Sequence, residues 1–247
     1  MPIARAVGRS LRTYHAPERR PILDSFYTRF IGPGELAFDV GCHVGDRAAS
    51  FCRLGARVVA VEPQPALLRA LRLLLRGQPV VFVPSLVGAT PGHATLRLNT
   101  ANPTVATASD AFIAAAAGAP GWEGQQWDNE ITLPVTTLDA LAALNGWPHF
   151  LKIDVEGFEA DVLHGLSQAP RALSFEFTTI QRDVALRALH RCVELGYRAF
   201  NACPGEAMQF AHPAPLDAMA MADWLLALPA EANSGDVYAA LDAALLC

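Results

Sequence analysis

Three charged residues line one side of a short apolar segment. In LKIDVEG, residues 151–157, Lys152, Asp154 and Glu156 alternate with Leu151, Ile153 and Val155. Carboxylates placed this way can act as general bases, as ligands of a hard cation, or as partners in ion pairs with the lysine. A second set lies earlier in the chain. FDVGCHVGD (38–46) carries Asp39, Gly41, His43 and Gly45 around a G-x-x-x-G spacing, and Glu62 closes the apolar run ARVVAVE (56–62). Glycines at a strand-to-helix turn let a ligand approach the backbone, and an acid at the end of the second strand can accept hydrogen bonds from ribose hydroxyls. His43 stands where the dinucleotide fingerprint has its second glycine, and its side chain would obstruct a pyrophosphate. The combination points to an adenosine-bearing ligand without a pyrophosphate.

The elements that must hold these residues follow from periodicity. LAFDV (36–40), ARVVAVE (56–62) and PVVFV (79–83) read as buried strands, with helices expected over about 46–54 and 65–76 between them. In the second helix Leu67, Leu68, Leu71, Leu74 and Leu75 form one apolar face, and Gly77 is its stop. Repeated strand–helix–strand units imply a parallel, doubly wound α/β sheet with helices on both faces. ATLRLNT (94–100) and ITLPV (131–135) read as strands flanking a long connection, 101–129, that holds Trp122 and Trp127 and could supply a short helix and a lid. Thr137 is an N-cap for a helix over 137–146. A strand over 149–155, another over 171–178, a helix over 182–196, an apolar helix near 216–228 and a last strand, DVYAAL, complete the pattern. One domain is expected: a basic extension over 1–33, a core over 34–200, and a C-terminal helix and strand within 201–247.

Composition narrows the classes. The 247 residues are 52% hydrophobic and 17% charged with a net charge of -5, enough for a sizeable core and no reason to expect nucleic acid as a partner. Arg5, Arg9, Arg12, Arg19 and Arg20 cluster near the start, as a solvated arm or helix or as a contact for an anionic partner. No apolar run approaches the ~18 residues of a membrane span, and the N-terminus lacks the apolar centre of a secretory signal. Five scattered cysteines without a CxxC pair fit reduced thiols in a cytoplasm. Apolar terminal segments are compatible with a homodimer.

DVGCHVGD, VVAVEPQPALLRAL, VTTLDAL and LKIDVEGFEADVLHGL, in this order and over roughly residues 36–178, resemble the FkbM family of S-adenosylmethionine-dependent methyltransferases. SGDVYAAL resembles that family's last strand. The resemblance implies a class I methyltransferase fold, Rossmann-like, with a seven-stranded and mostly parallel sheet and one antiparallel strand near its end. It implies S-adenosyl-L-methionine as cofactor, with Asp39, Gly41 and Gly45 around its methionine part and Glu62 on its ribose. The sequence departs from the family at Cys42 and His43, where alanine and asparagine are common. The segment PSLVGA offers no acid or amide to adenine, which leaves Ser85 or backbone groups for that contact.

In such a sheet the 149–155 strand lies beside the first strand, so Asp154 and Glu156 project into the ligand crevice. Ser174, Glu176 and Thr178 alternate with Phe175 and Phe177 on the neighbouring strand, completing a polar wall in which Lys152 is the counter-charge of Asp154 or Glu176. The expected chemistry is in-line methyl transfer to a hydroxyl of a sugar or secondary metabolite, with Asp154 or Glu156 as the base and His43 as a competing candidate. No compact ligand set demands a metal. Two other readings stand beside this one: a nicotinamide-dependent oxidoreductase on a similar sheet, which His43 opposes, and a cofactor-binding or interaction module without catalysis.

Overall fold

Short runs rich in valine alternate with amphipathic helices through the first third of the chain, and the backbone follows that alternation. The computed structural model describes residues 2–247. Helices α1 (Pro2–Tyr14) and α2 (Arg19–Tyr27) come first, then β1 (Leu36–Val40), α3 (Asp46–Arg53), β2 (Arg57–Val61), α4 (Pro65–Leu74) and β3 (Val80–Val83). A middle region holds β4 (Leu86–Val87), β5 (Gly92–Leu98), α5 (Asp110–Ala116) and β6 (Asn129–Thr136). The last part runs α6 (Leu138–Asn145), β7 (Phe150–Ile153), α7 (Glu159–His164), β8 (Ala172–Thr178), α8 (Arg182–Glu194), β9 (Ala199–Pro204), α9 (Ala218–Ala227) and β10 (Ser234–Ala240).

Seven strands form one sheet in the order β3-β2-β1-β7-β8-β10-β9. The first five are mutually parallel, and β10 runs antiparallel between β8 and β9. This is the doubly wound, mostly parallel sheet that the spacing predicts. Its order reverses between β1 and β7, so a crevice opens at the carboxyl ends of those strands. A smaller sheet, β4-β6-β5, stands apart from the main one.

The two faces of the main sheet differ. On one face Phe38, Val40, Leu151, Ile153, Leu173, Phe175 and Val237 are all buried with α8 residues Val184, Ala188 and Leu189. The other face changes character along the strands. Near the amino ends of β1, β7 and β8 it carries Ala37, Phe150 and Ala172, covered by Tyr27, Phe30 and Phe51; the Phe30 ring stacks on Phe150 at 4.9 Å and on Tyr238 at 5.4 Å. Two residues further along, the register brings Asp39, Lys152, Ser174 and Tyr238 into one row, and after it Glu176 beside Asp236. A strand between two neighbours can therefore alternate charge with hydrocarbon, because only one of its faces meets a wholly apolar core.

Several sequence expectations shift. Of the arm and the helix allowed for the basic start, the structure has helices, and they are anchored: Leu23, Phe26 and Tyr27 of α2 are core residues, and Val7 of α1 packs with Val44 and Leu67. Arg5, Arg9, Arg12 and Arg20 remain exposed. Leu74 leaves the expected stripe at 44% exposed, whereas Leu75, the residue just past the end of α4, is buried with Leu71. The strand expected over 149–155 stops at Ile153. Glu156 lies beyond it with φ 55, since Gly157 at φ 91 turns the chain. β9, whose Ala, Asn, Cys and Pro carry little strand propensity, was absent from the sequence reading; tertiary pairing with β10 makes it a strand. Thr137 does cap α6, accepting from the Ala140 N–H.

Candidate active site

A cleft of about 310 Å³ opens at the carboxyl ends of the central strands, walled by the loops after β1, β2, β3 and β7 and by the 103–122 connection. On its first side the β1–α3 loop is fixed by left-handed residues, Gly41 at φ 78, His43 at φ 50 and Gly45 at φ 75. A Cβ on Gly41 would collide with the carbonyl oxygen of Asp154, and one on Gly45 with the Leu71 side chain. The missing side chains thus make room for the chain itself. Gly41 lines the cleft, whereas Gly45 is the N-cap position of α3, packed under α4.

Glu62 is buried at the end of β2. Its Oε2 accepts from the His43 N–H at 2.9 Å and its Oε1 from the Gln64 N–H at 2.8 Å. Burial pushes its pKa up to about 8, against the pull of those two amides. Asp39 is also buried, and burial pushes it up to about 7 although Lys152 acts in the opposite sense. Its Oδ2 has no hydrogen-bond partner among the described residues, and neither has the Ser85 hydroxyl, both on cleft-lining residues. His43 stands edge-on to Tyr14 at 5.2 Å between ring centres, and burial lowers its pKa to about 4, so its imidazole is neutral at pH 7. Cys42 is buried and burial raises its thiol well above the usual range, which removes it as a nucleophile.

The second side belongs to β7, β8 and β10. Lys152, 2% exposed, places Nζ 3.1 Å from Asp154 Oδ2 and 3.1 Å from Asp236 Oδ1. Burial disfavours its charge, but Asp154 and Asp236 outweigh that and hold its pKa well above the lysine value. Of the two partners that the alternation offers Lys152, Asp154 pairs with it, and Asp236 takes the place expected for Glu176. Asp154, Glu156 and Glu176 converge, each with a carboxylate oxygen within 4.8 Å of the others. Their convergence on one point is a proximity that the linear order did not reveal. The turn beyond β7 is held rigidly. Glu159 accepts from the Val155 and Gly157 N–H groups, and the Thr107 hydroxyl donates to the Glu156 carbonyl at 2.6 Å. Burial, reinforced by Asp154 and Glu159, raises the Glu156 carboxyl well above its usual pKa, and burial with Glu156 does the same to Glu176.

At the mouth of the cleft Tyr14 of α1, Asp46 and Arg47 of α3 and Glu206 meet. Arg47 pairs with Asp46 and Glu206 at 2.6 Å each, and Arg19 reaches Glu206 at 2.7 Å. Trp122 forms part of the wall, edge-on to Phe112 at 5.1 Å, while Trp127 packs behind it and donates from Nε1 to the Val105 carbonyl. His149 and His164 face backbone groups at Leu36 and Ala160, away from the cleft.

The structure therefore gathers Asp39, Gly41, His43, Glu62, Ser85, Asp154 and Glu156 around one cleft and leaves Gly45 behind its wall. It adds Tyr14, Arg47, Glu176 and Glu206 to the lining, with Asp236 buried behind it on Lys152; of these only Glu176 is expected from the sequence, as part of a polar wall. Asp236 carried one signal, a charge inside the apolar strand SGDVYAAL. Tyr14 and Glu206 carried none.

The family model described as "Methyltransferase FkbM domain" matches residues 39–199. No curated protein matches the sequence. Among solved structures the chain is similar to cofactor-bound Rv0187 from MTB, at 12% identity and TM-score 0.46 over 98% of this chain and 90% of that one. It is similar to precorrin-6y C5,15-methyltransferase from Geobacter metallireducens GS-15 at 13% identity and TM-score 0.41, covering 90% and 87%. Fibrillarin from Aeropyrum pernix, solved with natively bound S-adenosyl-L-methionine, aligns at 11% identity and TM-score 0.45, covering 85% and 68%. These are remote likenesses.

Proposed function

Because the chain belongs to the FkbM methyltransferase family and its cofactor is S-adenosylmethionine, we propose that it methylates a hydroxyl of a sugar or secondary metabolite held against Asp154 and Glu156. The carrying observation is the convergence of those carboxylates, with Glu176, on a cleft whose opposite wall is the glycine loop.

The first wall fits the cofactor's chemistry. Asp39 Oδ2 and the Ser85 hydroxyl are buried polar atoms without partners, as expected of groups that a nucleoside and an amino-acid ammonium complete. In this reading Asp39 and the Gly41 backbone hold the methionine part, Glu62 accepts from the ribose, and Ser85 faces adenine. Gly45 acts through α3, by setting where the loop begins. Bound S-adenosylmethionine supplies an electrophilic methyl group on a sulfonium.

On the second wall the chain's own part is to orient the acceptor and take its proton. Glu156 has a raised proton affinity and an unpartnered Oε2, which supports it as the base. Asp154, tied to Lys152, supports the orienting role. His43, with its pKa lowered to about 4, is the weaker base of the three candidates and better suited to a hydrogen bond. Trp122 and residues 103–108 wall the site on one side, which supports a role in shielding it from water. In the same reading the chain works as one domain, with Tyr14 of α1 on the cleft's near side.

The test has two stages. Calorimetric titration with S-adenosylhomocysteine should show micromolar binding, NAD should show none, and Glu62→Ala should weaken the former by ~10-fold or more, the scale of a lost charge-assisted hydrogen bond. Turnover on a panel of hydroxylated acceptors should then fall ~100-fold or more in Glu156→Gln. Binding without turnover on any hydroxylated acceptor would remove the O-methylation reading.

A further inference from the structure

We propose that Asp154, Glu156 and Glu176 hold one divalent cation, which gathers two oxygens of the acceptor beside the methyl donor. The proposal rests on the methyl-transfer reading above and deepens it: Glu156 offers one carboxylate oxygen to the ion and keeps the other for the acceptor's proton.

The first observation is geometric. One oxygen from each of the three carboxylates lies within 4.8 Å of the others. Hard cations bind oxygen at ~2.0–2.6 Å, so ligands on opposite sides of one ion stand ~4–5 Å apart. The three side chains come from different places, two from the turn after β7 and one from β8, yet they converge on one side of the cleft. All donors are oxygen, which selects magnesium, manganese or calcium over zinc.

The second observation is an absent partner. Glu156 is 7% exposed, and its Oε2 meets no donor among the described residues; the same is true of Oε2 of half-buried Glu176. Leaving a buried carboxylate unpaired costs several kcal/mol. Three buried acids in or next to the cleft avoid that cost, and Asp39, whose Oδ2 faces the cofactor side, is the other exception. Glu62 has two backbone amides, Glu159 has the amides of Val155 and Gly157, and Asp236 has Lys152. Lys152 reaches Asp154 but forms no ion pair with Glu156 or Glu176. The Glu156 backbone is nonetheless clamped by Thr107 in a left-handed conformation that a non-glycine residue adopts only when its surroundings impose it. A cation supplies the positive charge that this wall lacks, and the cleft above it leaves coordination positions for water and acceptor oxygens.

The experiment uses the full chain after treatment with a chelator, titrated with manganese chloride. Free Mn²⁺ is read by electron paramagnetic resonance, and S-adenosylhomocysteine binding is read in parallel as the measure of a folded site. The expected result is one Mn²⁺ per chain, with affinity falling ~10-fold or more in Glu156→Gln and in Glu176→Gln, while S-adenosylhomocysteine still binds. The melting temperature of the unmodified chain should also rise with millimolar Mn²⁺. Two results would overturn the proposal. One is a chain that binds S-adenosylhomocysteine but takes up no Mn²⁺ and shows no thermal shift, which stands whether or not the variants fold. The other is equal Mn²⁺ binding by all three proteins, meaning an adventitious ion only. Site-specific Mn²⁺ binding without any S-adenosylhomocysteine binding would uphold the cation and sink the cofactor placement instead, so the two failures are distinguishable.

Discussion

The two walls of the cleft are built from the same kind of residue and treat it differently. On the β1–β2 side the acid Glu62 sits at a strand end and is met by two backbone amides, so its position is settled before any ligand arrives. On the β7–β8 side Asp154, Glu156 and Glu176 face one another, and the single nearby cation, Lys152, is shared between Asp154 and Asp236. The difference is one of backbone geometry. A turn presents free N–H groups and satisfies Glu62 locally, whereas a strand directs its amides into the ladder and leaves acids such as Asp39 and Glu176 to side chains or a ligand. The first wall is suited to a ligand that is the same in every reaction cycle. The second is suited to a ligand that must bring or share charge.

The largest effect is expected where the second wall's one cation is removed. Lys152→Met should lower stability by about 3–5 kcal/mol, because Asp236 would be left buried without its partner. The midpoint of urea unfolding measures it, and a change under ~1 kcal/mol would mean that the pair is not balanced as drawn. Next comes the seam between the walls. Gly41→Ala combines a left-handed φ with a collision against the Asp154 carbonyl and should cost about 2–3 kcal/mol. It should also weaken S-adenosylhomocysteine binding several-fold, and an unchanged affinity would separate the loop from the cofactor.

A smaller effect tests the first wall by pH. Glu62 has a folded pKa of about 8 against an ordinary value of 4.5. The native state therefore holds a proton that the unfolded chain has lost, and this contribution is fully present below about pH 4.5 and fades as pH rises toward 8. Unfolding midpoints of the ligand-free protein between those limits should fall with pH, and Glu62→Gln should flatten the slope. An identical slope in the variant would mean that its two amide partners hold Glu62 ionised. The smallest effect lies behind the Trp122 wall. Trp127→Phe loses the Nε1 bond to the Val105 carbonyl and should cost about 1 kcal/mol with little change in cofactor affinity. A loss as large as that of Gly41→Ala would place the 103–127 connection among the supports of the first wall.

Legibility in the sequence followed the range of the interaction. β1, β2, β3 and β8 fall within a residue or two of where valine-rich runs and alternation put them, because those patterns are local. The Thr137 cap and the stop before Gly77 were legible for the same reason. The end of β7 was not. Alternation carries on through Glu156 in the sequence, but Glu159 captures the Val155 and Gly157 amides and ends the strand earlier. β9 was invisible because its strand state comes from β10, not from its own residues.

By itself, the sequence determined the doubly wound sheet, the family, and two segments that line the cleft, since these rest on short periodic runs and motifs read in order along the chain. Tertiary structure alone decided which charges meet. Lys152 joins Asp236 across 84 positions, Arg47 joins Glu206 across 159, and Glu156 joins Glu176 from a separate strand. Such contacts depend on strand register and on how the chain's two ends fold back over the sheet. Spacing along the chain carries no record of either.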